Sequence, residues 1–153
     1  YGAGDEKIGS IVGGGRSVGK KLKAQFLAAT PALAKLKDNV AQSAAKGYIT
    51  GLDGRKVFIR SEHAALNSLL QSAGAIIMKQ ALIILDRYAI LWGIDYKFVG
   101  NIHDEFQVEV RADQADKFGR LATDCIVAAG LHYNLRCPLA GDYKVGDSWA
   151  ETH

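Results

Sequence analysis

Nowhere in the chain does an unbroken apolar run approach the roughly 18 to 20 residues that a helix needs to cross a bilayer, so no membrane contact is expected. The opening Tyr1-Gly2-Ala3-Gly4-Asp5-Glu6 has neither the basic stretch nor the apolar core of a leader peptide, and no export signal is visible. Cysteine is scarce. Cys125 and Cys137 fit neither a Cys-x-x-Cys redox pair nor a metal quartet, which points to two reduced thiols in a cytoplasmic protein. A starting Met is lacking as well, from which a segment upstream of Tyr1 is expected. No His/Asp/Glu cluster at ligand spacing accompanies the triplet His103-Asp104-Glu105, which argues against a metal-dependent nuclease or phosphatase.

What is present suits a globular fold. The 153 residues, 48% hydrophobic, are enough to bury a core in one domain or a large piece of one. Charge is divided unevenly: residues 1–60 carry 11 Lys/Arg against 4 Asp/Glu, and residues 61–153 carry 8 against 12. A basic front fits contact with phosphates and an acidic back fits metal ions, although a solvated basic helix face has the same composition.

In order, Asp5–Val12 reads as a short helix ended by Gly13-Gly14-Gly15. Ser17 can cap a second helix, on which Val18, Leu22 and Phe26 form an apolar stripe and Lys20, Lys21 and Lys23 lie mostly off it. Thr30-Pro31 is an N-cap followed by proline at the first helical position, opening a third helix to about Lys46 before Gly47. Gly14 to Lys20 matches Gly-x-x-x-x-Gly-Lys, but Lys21 replaces the hydroxyl residue that would hold magnesium and a helix replaces the preceding strand. These glycines are read instead as a tight turn between helices. Tyr48–Leu52 and Lys56–Arg60 then flank Asp53-Gly54, a strong hairpin signal, with Arg55, Lys56 and Arg60 placed for backbone phosphates or for a charged, solvated edge.

From Ser61 to about Trp92 the pattern is one long helix, apolar around most of its circumference and so expected to be largely buried. One line differs. His63, Asn67 and Gln71 recur at spacing four, neutral hydrogen-bonding groups one above another over roughly 12 Å. Purine N3 and pyrimidine O2 occupy nearly the same place in the minor groove whatever the sequence, so such a row can sense pair shape without reading bases. Alternatively, the three satisfy one another or a neighbouring backbone inside the core.

Tyr96–Ile102 and Phe106–Val110, rich in β-branched and aromatic residues, read as strands joined at His103-Asp104-Glu105. Hairpin turns recruit Gly or Asn, and this one has neither, so either chemistry selected the triplet or it is an ordinary acidic turn. Asp113 is a candidate N-cap for a helix through Ala129, with Gly130 past its end and Phe118, Leu121, Cys125 and Ile126 facing the core. The remainder is weakly periodic, with Trp149 expected to pack.

Taken together, an initial Tyr1-Gly2, the run Gly51-Leu52-Asp53-Gly54-Arg55-Lys56, and His63-Ala64-Ala65-Leu66-Asn67 followed by Gln71-Ser72-Ala73-Gly74-Ala75 form an ordered set. With His103-Asp104-Glu105 and the closing Trp149-Ala150-x-x-His153, this set resembles the C-terminal portion of a family A DNA polymerase, in particular the replicative polymerases of short-tailed phages. The likeness extends over essentially the whole chain.

That resemblance implies an α+β right-hand polymerase fragment, with residues 1–47 closing the fingers and residues 48–153 forming palm. It implies Tyr1 and Gly2 beside the templating base and incoming nucleotide. Asp104 and Glu105 are implied as catalytic carboxylates holding two magnesium ions, and His103 as a contact to the primer strand. Asn67 and Gln71 match minor-groove contacts to primer–template, and His63 stands where the bacterial repair branch carries arginine. The implied reaction is attack of a primer 3′ hydroxyl on the α-phosphate of a deoxynucleoside triphosphate, in phage replication in the host cytoplasm. The family's other carboxylate and its triphosphate-gripping Arg and Lys match nothing here, so the chain alone is expected to be inactive, as a fragment or half of a split polymerase. Its expected partners are primer–template DNA, deoxynucleoside triphosphates, the missing N-terminal part and a processivity factor bound outside this segment. The alternative function is a noncatalytic nucleic-acid-binding module with an inert acidic turn.

Overall fold

A computed structural model describes residues 3–153. Six α-helices and two antiparallel strand pairs follow one another among these residues: α1 Asp5–Ile11, α2 Arg16–Ala29, α3 Pro31–Ala44, β1 Tyr48–Thr50, β2 Lys56–Phe58, α4 Glu62–Leu91, β3 Tyr96–Ile102, β4 Glu105–Val110, α5 Ala115–His132 and α6 Trp149–Thr152. A short 3-10 turn, Ala112–Gln114, precedes α5. The class is therefore α+β, as expected. The chain divides between Ser72 and Ala73, inside α4, into two compact units.

In the first unit, α1 and α2 meet at glycines. Gly9 and Gly19 are buried, and the backbone of each lies against that of the opposing segment. Of the two glycines of the Gly-x-x-x-x-Gly-Lys match, Gly19 therefore serves close packing, while Gly14 lies in the turn before α2 beside the Val18 side chain. Because that contact runs through Gly19, the expected core stripe of Val18, Leu22 and Phe26 stays exposed. Ser17 sits inside α2, whose N-cap is Gly15, and the Thr30 hydroxyl donates back to the Phe26 carbonyl at 2.7 Å instead of capping α3. Both expected side-chain caps thus fail, Ser17 because α2 already begins at Arg16 and Thr30 because a preceding carbonyl takes its hydroxyl. The helix α3 stops before Gly47, at φ +80, a backbone state that glycine adopts without a Cβ penalty.

The strands β1 and β2 pair Tyr48 with Phe58 and Thr50 with Lys56, leaving Gly51–Arg55 as the loop. This is longer than the two-residue turn expected from Asp53-Gly54, although Gly54 does take a positive φ of +84. The Gly51 N–H donates to the Arg55 carbonyl at 2.8 Å and the Gly54 N–H to that of Gly51 at 3.0 Å, closing the loop. Alternation turns Ile49 and Val57 inward, where they join Val40, Ala44, Ala65, Leu66 and Leu69 in a small core.

The second unit is organised on the latter half of α4. Ala81, Leu85 and Ala89, at spacing four, are completely buried. Leu85 and Ala89 pack with Ile94, Phe118, Leu121, Ala122 and Cys125, while Tyr96, Phe106, Val108 and Val110 supply the inner face of β3 and β4. The α5 stripe is as expected. Its ends are not: Asp113 pairs with Arg111 at 2.6 Å in the 3-10 turn, and Gly130 lies buried within α5 against Leu139. The arginine captures the carboxylate that would otherwise cap, and α5 continues because Leu139 packs over a glycine with no side chain. Cys125 and Cys137 are both free, the first buried and the second exposed.

One sequence expectation for α4 is corrected. Leu70, Ile83, Tyr88, Ile90 and Leu91 are exposed, because apolar residues surround the helix while its buried positions form one side. By length and apolar content alone, His63–Leu91 would also suffice to cross a membrane, since scattered polar residues interrupt its runs without removing its apolar character.

Burial raises the Cys125 thiol from 9.0 to about 11, with Asp124 adding to the effect. The Tyr96 phenol, pushed up chiefly by burial and then by Asp86, rises from 10.0 to about 12 and donates to Asp86 Oδ1 at 2.5 Å. Both groups bind their protons more tightly when folded, so the stability they contribute is present below pH 9 and lost as pH rises through that window. Thermal melts should therefore show Tm falling between pH 9 and about 12, with Cys125→Ala flattening the earlier part of the slope. An unchanged Tm across this range would contradict the assignment.

Candidate active site

The hairpin of β3 and β4 carries the chemistry-bearing triplet, but in a different arrangement from the expected loop. Ile102 pairs with Glu105, so the turn is His103-Asp104 alone and Glu105 is the first residue of β4. His103 has φ +54. Turns of this length favour Gly or Asn where φ is positive, and a residue with a Cβ there costs about 1–2 kcal/mol. The chain thus keeps a histidine where backbone economy would select glycine.

A bulge between Phe98 and Gly100 inserts Val99 opposite a single step of β4. Before the bulge, Tyr96 and Phe98 pair with Val110 and Val108. Beyond it, Gly100 pairs with Gln107 and Ile102 with Glu105. On β4, alternation alone puts Glu105 and Gln107 on the outer face beside the tip and Phe106, Val108 and Val110 on the core, and the extra residue in β3 sets Gly100 and Ile102, rather than Val99 and Asn101, opposite them.

Glu105 is held there. Gln107 Nε2 donates to its Oε1 at 2.6 Å, and His153 Nδ1 lies 3.1 Å from its Oε2. The Thr152 hydroxyl donates to Gln107 Oε1 at 3.0 Å, which fixes the amide with its NH2 toward Glu105. Trp149 meets the His153 ring edge-on, centroids 5.9 Å apart, so α6 and the residue after it form the outer wall. The Glu151 carboxylate accepts the Asp147 N–H at 2.6 Å and steadies the short helix. The Gln107 hydrogen bond, then that of His153, holds the Glu105 carboxyl below its ordinary range. Sequence reading missed Gln107 and Thr152 and gave His153 no role. Period-two alternation from Glu105 would have found Gln107, whereas Thr152 lies 45 residues away in sequence.

Asp104 differs from its neighbour. Both it and His103 are exposed, and among the described residues no side chain engages either. The tip thus combines an uncommitted carboxylate with one already hydrogen-bonded. Among the described residues no group of three His, Cys, Asp or Glu is placed to hold a metal, so this pair stands alone.

The other candidates lie in the first unit, apart from Tyr1 and Gly2, which fall outside the described residues. His63 and Gln71 are exposed and Asn67 half-buried on α4. Among the described residues none bonds to another or to neighbouring backbone, which speaks against the alternative of mutual satisfaction inside the core. On the β1–β2 hairpin, Arg55 pairs with Asp53 at 2.6 Å, Lys56 sits over the Tyr48 ring at 4.7 Å, and Arg60 is exposed.

An α+β chain with an acidic hairpin tip and an amide-bearing helix ridge defines the class of candidate. Residues 1–151 match DNA polymerase family A, and the chain belongs to that family. It is 41% identical over 175 residues to the DNA-directed DNA polymerase of Escherichia phage T7, covering 100% of this chain and 25% of the relative. It is also 41% identical over 160 residues to that of Escherichia phage Phieco32, covering 100% and 26%. A more distant relative, DNA polymerase I of Pseudomonas aeruginosa, is 28% identical over 133 residues, covering 79% of the chain and 14% of the relative. The chain therefore spans about a quarter of the length of these phage relatives. Its fold resembles the POL domain of Pol1 from M. smegmatis, solved in complex with DNA primer-template and dNTP. The TM-score is 0.74 and the identity 22%, over 84% of this chain and 25% of that one.

Proposed function

We propose that this chain is the end of the fingers (residues 1–47) and much of the palm (residues 48–153) of a DNA-directed DNA polymerase that extends primers in phage replication in the host cytoplasm. The observation that carries this reading is Asp104, exposed and unengaged at a hairpin tip beside a Glu105 already fixed by two hydrogen-bonding partners. In the reaction, the primer 3′ hydroxyl attacks the α-phosphate of a deoxynucleoside triphosphate, a phosphodiester forms, and pyrophosphate leaves.

Exposed carboxylates are the right donor type for magnesium, so Asp104 and Glu105 would hold it. Two adjacent carboxylates fall short of the donors that two ions require, and a further carboxylate must come from elsewhere in the polymerase. Bound there, the metal supplies Lewis-acid activation of the hydroxyl and charge neutralisation of the leaving group. His103 contacts the primer strand near its terminus. His63, Asn67 and Gln71 follow the minor groove, the amides donating to purine N3 and pyrimidine O2. Lys56 and Arg60 take backbone phosphates, with Arg55 beside them. Tyr1 and Gly2 border the templating base, and a processivity factor binds outside this segment.

The test is a chimaera in which this chain replaces the aligned quarter of the T7 phage polymerase. Templated, magnesium-dependent extension is expected of the chimaera, while the chain alone binds primer–template without extending it. A folded chimaera that binds the duplex with or without magnesium and adds no nucleotide would favour the noncatalytic module instead. In the same chimaera, Asn67→Ala and Gln71→Ala should each weaken duplex affinity roughly tenfold, the loss of one directed hydrogen bond, with little dependence on base sequence.

A further inference from the structure

The outer face of the β1–β2 hairpin carries an arrangement that duplex phosphate contacts leave unused. Cross-strand pairing puts Tyr48 beside Phe58 and Thr50 beside Lys56 on one face, while Ile49 and Val57 turn into the core. Phe58 is 79% exposed, a ring left in water on a strand whose neighbour Val57 packs inward. Tyr48 meets it edge-on with centroids 6.4 Å apart, so Phe58 is braced from one side and open on the rest. The Lys56 ammonium lies 4.7 Å from the Tyr48 ring centroid, a contact that holds a mobile cation next to the aromatic pair. Arg60 follows two residues beyond Phe58 and is exposed.

An exposed aromatic ring flanked by cations has the chemistry of a single-strand site. Every base has a π-face that can stack on phenylalanine, and the phosphates on either side require positive charge. A paired base inside a duplex has no free face to offer. We propose that this hairpin is a stacking platform for an unpaired nucleotide, with Phe58 taking the base and Lys56 and Arg60 the flanking phosphates. The proposal rests on the polymerase reading for its context, in which the unpaired nucleotide is single-stranded template, and on the hairpin's own chemistry for its ligand.

Fluorescence anisotropy of the full chain with a labelled oligodeoxythymidine, and with a blunt duplex carrying the same number of phosphates, tests it. Phe58→Ala should weaken binding of the single strand roughly tenfold or more, the loss of one base stack, and leave duplex affinity within about twofold. Because the side chain is exposed, the variant should keep its circular dichroism spectrum. Phe58→Trp should retain single-strand affinity, its indole emission quenched as oligonucleotide is added. Unchanged single-strand affinity in Phe58→Ala, or equal loss for both ligands, would overturn the platform. So would a tryptophan emission in the chimaera that is blue-shifted from the start and unmoved by oligonucleotide, which would put the ring beneath another part of the polymerase. Failure of the chimaera to extend primers sinks the polymerase reading and leaves the oligonucleotide result standing, so the two can fail separately.

Discussion

Asp104→Ala in the chimaera is expected to lower primer extension by more than about a thousandfold while duplex affinity stays where it was. The size follows from the proposed role: the carboxylate would hold the magnesium that neutralises charge on the phosphate oxygens, and its loss would leave that ion short of a ligand. Glu105 does not make good the loss, because Gln107 and His153 hold its carboxylate in its own place on β4. Stability should change by no more than about 0.5 kcal/mol, since Asp104 is exposed and makes no contact that the substitution removes. Asp104→Asn separates charge from turn geometry, because the amide keeps the shape and tolerates the same backbone. Single-turnover extension and duplex anisotropy on the same preparations decide the matter. An alanine variant that extends primers at the parental rate would end the assignment of Asp104 as a catalytic residue.

The second large effect is structural. Gly19→Ala should destabilise the α1–α2 pair by about 3 kcal/mol or more, read as faster amide hydrogen exchange throughout α1. A Cβ at that position would fall 1.7 Å from the Asp5 carbonyl oxygen and 2.7 Å from the Gly9 nitrogen. Both are backbone atoms, so no rotamer change relieves the clash and the helices must separate. Helix propensity acts in the opposite direction, favouring alanine by about 1 kcal/mol in an isolated helix, so even the sign of the result is informative. Protection in α1 that matched or exceeded the parent would show that the two helices do not meet at these glycines.

Legibility in the sequence followed the range of the interaction concerned. The bounds of α4 emerged almost correctly because thirty residues of apolar periodicity outweigh any local ambiguity. The α5 stripe through Phe118, Leu121 and Cys125 succeeded for the same reason. Caps did not: Ser17, Thr30 and Asp113 all had the right letters, but a neighbouring carbonyl or arginine decided what the side chains of Thr30 and Asp113 bonded. The identity of the acidic tip was legible and its shape was not, since placing Glu105 in the strand depends on pairing with Ile102 and not on its own propensity. The wall behind Glu105 was invisible for a further reason. Thr152 and His153 reach it across 45 and 48 residues of chain, a distance over which no local pattern speaks.

Val99 shows how much of the tip hangs on counting. With that residue present, β3 takes one more step than β4, and the strand arrives at its turn reversed in parity. Removing it would leave Gly100 opposite Gln107 and Ile102 opposite Glu105, and would take away the local bend and added twist that a bulge gives its strand. The two acidic residues would then keep their places in the ladder while the direction of the tip changed. A single amino acid, apolar and without polar chemistry of its own, thus bears on where the end of the hairpin aims.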